Sequence, residues 1–135
     1  MAMQTVNIRL RWSEQEPATT LSDPRELDDF LDAIAMGCDR HRPIIVLVDA
    51  HGHEVALGIG AEESFVQVQD QSGDPPYLVT VGDPTADGVV AFYLFGHHHT
   101  EIRRRHLVPS MVARRIVSAF LRSGSRSPDV EWEEV

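Results

Sequence analysis

Between Pro43 and Phe95 five apolar segments follow one another through short polar links, and this succession limits the topology more than any other feature. The segments are Ile44 to Val48, Val55 to Ile59, Ser64 to Gln69, Tyr77 to Val81 and Val89 to Phe95. Parallel neighbours need crossover connections of about a dozen residues or more, so links this short imply an antiparallel meander. His51-Gly52 marks a tight hairpin, and Asp70 to Pro76 and Gly82 to Gly88 carry the proline and glycine of turns. IIVLV, Ile44 to Val48, is too uniformly apolar for an edge. VVAFYLF, Val89 to Phe95, is expected to be the central strand, covered on both faces. From Glu54 to Gly60, Val55, Leu57 and Ile59 alternate with Ala56, Gly58 and Gly60. One face of that strand is nearly bare, which predicts close packing of another backbone or a helix on it.

Other elements flank this run. Thr5 to Trp12 alternates Val6, Ile8, Leu10 and Trp12 with Asn7, Arg9 and Arg11, the pattern of a half-buried strand. Asp23-Pro24-Arg25-Glu26 announces a helix with cap, first-turn proline and acid. Leu27, Phe30, Leu31 and Ile34 form its apolar stripe, Asp28, Asp29 and Asp32 its outer side, and Gly37 its end. A second helix is predicted to open at Leu107-Val108-Pro109 and to stop at Gly124. Its apolar side reads as Val108, Met111, Val112, Ile116, Ala119 and Phe120, with Arg114, Arg115, Ser118 and Arg122 opposite. Ahead of it His97-His98-His99 reads as a solvated loop after the strand, and Arg103-Arg104-Arg105 as a candidate anion clamp or, with acid-rich surroundings, as exposed ion pairs. The expected fold is α+β, an antiparallel meander sheet of about six strands with two helices packed on one face. It occupies 1–135 as one domain, with 123–135 as a linker and a tail that adds an edge strand, Val130 to Val135.

A chain of 135 residues, 42% hydrophobic, buries one core without disulfides or metal. Its one cysteine, Cys38, has no partner in the chain, and an inert thiol in a reducing compartment is expected. No run approaches the ~20 apolar residues of a membrane span, so a cytoplasmic protein with no membrane partner is expected. Charge is unevenly placed. Residues 1–102 hold 17 acids and 5 arginines, whereas 103–126 hold 7 arginines and no acid, and lysine is absent. With a net charge of −9, nucleic acid is a poor direct ligand and a basic partner a good one.

Residues that could carry chemistry are few. His97, His99 and His106 offer metal ligands, and a small metal-dependent hydrolase built on them is the catalytic alternative. They do not form the His-Glu-x-x-His pattern that a zinc-hydrolase helix requires. Nucleophile elbow, P-loop and dinucleotide fingerprint are all missing. No catalytic residue and no cofactor are therefore expected.

The segment Leu57 to Gly60 after an apolar strand, the strand ending at Gly96, Leu107-Val108-Pro109 with Ala113, and the ending FLRSG…SPDVEWEE together resemble the Imm1 immunity proteins of bacterial polymorphic toxin systems. The likeness runs from about Asp23 onward, and the tail from Gly124 through Pro128 to Trp132-Glu133 is its most specific part. It implies an α+β protein that neutralises a cognate toxin, often of deaminase type and mostly in actinobacteria, and it assigns no catalytic residues. The toxin-binding residues expected from charge are Asp28, Asp29, Asp32, Glu62, Glu63, Asp70 and Asp74, with Trp132 as an aromatic anchor or a seal of the core edge. An interaction module outside toxin systems is the other alternative.

Overall fold

The computed structural model describes residues 8–11, 19–21, 24–37, 42–48, 54–60, 62–69, 77–94, 98–123 and 126–135. In chain order the elements are β1 (Ile8–Arg11), β2 (Thr19–Leu21), α1 (Pro24–Gly37), β3 (Pro43–Val48), β4 (Glu54–Gly58), β5 (Glu63–Val68), β6 (Leu78–Val81) and β7 (Val89–Leu94). Then come β8 (His98–Arg103), a 3-10 turn (Arg104–His106), β9 (Val108–Pro109), α2 (Ser110–Ser123) and β10 (Glu131–Glu134). The Asp23 cap, Cys38, the His51-Gly52 turn, the link from Asp70 to Pro76 and Gly124 lie outside the described residues.

The meander is present. β3, β4, β5 and β6 pair antiparallel in sequence order, β10 closes the β6 side, and β1 with β2 extends the β3 side. Side-chain alternation then sorts residues to two faces. Ile8, Leu10, Ile45, Leu47, Val55, Leu57, Val66 and Val68 point to the face covered by Leu27, Leu31 and Ile34 of α1 and by Ala113, Ile116, Val117, Phe120 and Leu121 of α2. Burying each such aliphatic side chain is worth ~1.5–3 kcal/mol, so this two-helix layer holds most of the stability. The expectation of α+β with both helices on one face is met.

The strand count is not. Among the described residues the sheet has ten strands where about six were expected. The unexpected ones are β2, β8 and β9. β8 begins within the histidine run read as a loop and runs on to Arg103, and it pairs along its whole length with β7, from Val89↔Arg103 to Leu94↔His98. Only Thr100 and Ile102 turn a partly covered side inward, so its sequence carries almost no apolar alternation. β7 is not central either. It meets β3 over only Pro43↔Tyr93 and Ile44↔Leu94, in parallel, and of its residues only Phe92 is buried.

These additional strands close a ring. β3 pairs β4, β4 pairs β5, β5 pairs β9, β9 continues from β8 through the 3-10 turn, β8 pairs β7, and β7 returns to β3. Ile44, Phe65, Val79, Phe92 and Leu107 fill its inside as a second small core. Phe65 and Phe92 meet edge to face, with ring centroids 5.1 Å apart. The bare face of β4 is explained here. A Cβ on Gly58 would lie 2.2 Å from Phe65 Cε1, so what packs on the glycine is an aromatic ring of the next strand, not a backbone or helix.

The segment from Arg104 to Pro109 enters where β5 and β6 part. Thr80, fully buried on β6, uses its hydroxyl as a bridge: Val66 N–H donates to Oγ1 at 3.2 Å, and Oγ1 donates to the His106 carbonyl at 2.9 Å. Gly82 N–H donates to the Arg105 carbonyl at 2.8 Å. Because Val108 and Pro109 stay extended against Ser64 and Glu63, α2 begins at Ser110, one residue after the proline expected to open it. The later start also alters its buried face: Ala113, Ile116, Val117, Phe120 and Leu121 turn inward, while Met111, expected in the stripe, is 74% exposed.

Candidate functional site

Two charged recesses adjoin at the start of α2. The first lies between the helices. Leu27, Leu31 and Ile34 face the core, so helical periodicity turns Asp28, Asp29 and Asp32 outward, and all three are exposed. Arg114 of α2 reaches across, its Nη1 donating to Asp32 Oδ1 at 2.7 Å and lying 4.0 Å from Asp28 Oδ1. The groove has a volume of about 670 Å³ and is lined by Asp28, Asp32, Ser110, Met111, Arg114, Arg115 and Ser118. Two of the three acids in the expected cluster thus share an arginine, and Asp29 has no ion pair among the described residues.

Ser110 joins this groove to the second recess. Its N–H donates to the Glu62 carbonyl at 2.9 Å and its hydroxyl to the Gly60 carbonyl at 3.1 Å. On the far side of that contact lies the mouth of the β-ring, a recess of about 210 Å³ lined by Arg42, Glu62, Glu63, Val90, Phe92, Arg104 and Leu107. Glu62 and Glu63, expected in the binding surface, are exposed on its rim. Arg42, which shares that rim with Arg104, was not singled out in the sequence, and Arg104 stood there only as part of the arginine run, far from Arg42 and from the acids. No local pattern could have found them.

The other expected residues lie elsewhere. Trp132 is partly buried against the main core, and its indole N–H donates to the Ser127 carbonyl at 2.9 Å, so its polar edge is satisfied within the chain. Asp70, Asp74 and His97 lie outside the described residues. His99 is exposed on β8 and meets Tyr93 edge to face, with centroids 5.6 Å apart. His106 is buried, and its Nε2–H donates to Glu133 Oε2 at 2.7 Å. Among the described residues no three His, Cys, Asp or Glu side chains gather as a metal site would need.

Glu133 is the clasp of the C-terminal strand. Arg105 Nη2 lies 3.0 Å from Oε1 while His106 holds Oε2. The hydrogen bond from His106 holds the Glu133 carboxyl below its ordinary range; partial burial opposes this, and the nearby Arg105, His106 and Arg103 charges add to it. Alternation along EWEE puts Trp132 and Glu133 on opposite faces, one on the main core and one on the 3-10 turn.

Fold and recesses together define a class: a small α+β protein with two adjoining charge-lined recesses at its surface. A family model described as immunity protein Imm1 matches residues 15–134, and the chain belongs to that family. A comparison with curated proteins found no match. Membership makes toxin immunity the function to explain and a toxin the implied partner. No described helix is long and apolar enough to cross a membrane.

Proposed function

We propose that this protein binds a cognate secreted toxin that acts on nucleic acid, of deaminase or nuclease type, and covers its basic active-site cleft without performing a reaction itself. The observation that carries the reading is the exposure of Asp28, Asp29, Asp32, Glu62 and Glu63 around two adjoining recesses. An enzyme that grips a phosphate backbone presents cations, and carboxylates set on a rigid sheet and helix occupy the same positions. Asp70 and Asp74, outside the described residues, join this set on their charge alone, and Trp132 serves it by holding the tail against the core. Steering by opposite charge speeds the encounter, and a family devoted to immunity gives that encounter its purpose.

The test is expression of the toxin domain encoded in the neighbouring reading frame, with and without this protein. Cells survive only when both are made, and the purified pair elutes as one complex. Equal killing in both cases, or a neighbouring frame that encodes no toxin, removes the reading.

A further inference from the structure

We infer that the mouth of the β-ring is a receptor for one loop of the toxin, a loop that presents an acidic and a basic residue together. The inference rests on the toxin-binding reading and names a site for it. Beneath the recess lie the buried Phe92 and Leu107 with the partly covered Val90, and the surface it presents is mostly polar. Four exposed charges stand around it: Arg42, Arg104, Glu62 and Glu63. Among the described residues none of the four makes an ion pair, although two cations and two anions line one small recess. Arg42 precedes β3, with Nη1 3.5 Å from the Ala91 carbonyl, Arg104 opens the 3-10 turn, and the Glu62 carbonyl is tied to Ser110 N–H.

Opposite charges fixed on one rim and not neutralising one another are complementary to a partner carrying both signs. A partner of one sign meets like charge from half the rim, which costs affinity and selects against it. Size sets the rest. Sites for small molecules run to ~300–1,000 Å³, so a recess of about 210 Å³ suits a single side chain.

Bulk charge and the mixed rim predict different results. Binding of the neighbouring toxin domain is measured for Glu63→Arg and Arg104→Glu, with Glu101→Arg and Arg126→Glu as exposed controls outside the recess. The rim model predicts that both rim variants weaken binding by about tenfold or more, although they change the net charge in opposite directions. Each control stays close to the unaltered protein. If Arg104→Glu instead tightens binding as Arg126→Glu does, only overall charge matters and the receptor is overturned. Circular dichroism checks folding, and should a rim variant misfold, toxin-induced shifts of the Glu62, Glu63 and Arg104 amides in the unaltered protein decide the matter: shifts there support the receptor and their absence overturns it. Failure of the unaltered protein to bind overturns the toxin-binding reading and this inference with it, whereas binding that ignores the rim overturns this inference alone.

Discussion

Glu133 shows how one side chain ties distant parts of a chain together. Its carboxylate takes a hydrogen bond from His106 and pairs with the Arg105 guanidinium, residues that precede α2, while its own strand follows that helix. With the folded pKa below the ordinary value of 4.5, the clasp stabilises in full above that value and is lost as pH falls through the folded pKa. Glu133→Gln is therefore expected to melt lower than the unaltered protein at neutral pH, with the two melting temperatures converging as the buffer is taken below pH ~4. A constant gap across that range would show that the carboxylate charge contributes nothing. The side chain is 34% exposed, so solvent screens the pair and the gap is modest. Nothing local in the sequence revealed this contact. His106 stood as a possible metal ligand, yet what it meets is a glutamate 27 positions away, brought near by the pairing of β10 with β6.

The elements were legible in proportion to how much of their surroundings their own residues supply. Both helices announced themselves through 3.6-residue stripes, and β3 to β6 through apolar runs and turn residues. β8 and β9 did not, because their structure comes from partners: β7 for the one and β5 for the other. VVAFYLF misled for a related reason. Its apolar residues serve a ring interior on one side and a Tyr93–His99 contact on the other, which mimics a strand buried on both faces. The segment leading into α2 is held by backbone contact at Gly82, where a Cβ would lie 1.9 Å from the Leu107 carbonyl oxygen. Since the obstacle is main chain, Gly82→Ala is expected to cost ~1–3 kcal/mol, read as a lower denaturant midpoint at unchanged slope. A midpoint equal to that of the unaltered protein would mean that the 3-10 turn moves aside freely.

At the scale of the whole molecule, charge is what the surface offers. A net −9 with the acids concentrated before residue 103 favours a basic partner, and the exposed face of α1 is its densest helical patch. Reversing Asp28, Asp29 and Asp32 to arginine is expected to slow association with the toxin by about tenfold at low salt and to flatten the salt dependence of the rate. The fold should tolerate this, since the Arg114 pairs are exposed and such pairs contribute ~0–1 kcal/mol. An unchanged rate would leave that face merely solvated.

Composition, periodicity and turn chemistry were enough to determine an α+β domain, the helical stripes, the antiparallel core of the sheet and the acidic surface, because each depends on residues close together in the chain. Ring closure, the service of Phe65 to Gly58, the clasp on Glu133 and the mixed-charge rim were decided only by tertiary structure. Each of these joins residues separated in sequence and made neighbours by strand pairing. A contact that exists only after the sheet has formed leaves no periodic trace in the segments that make it.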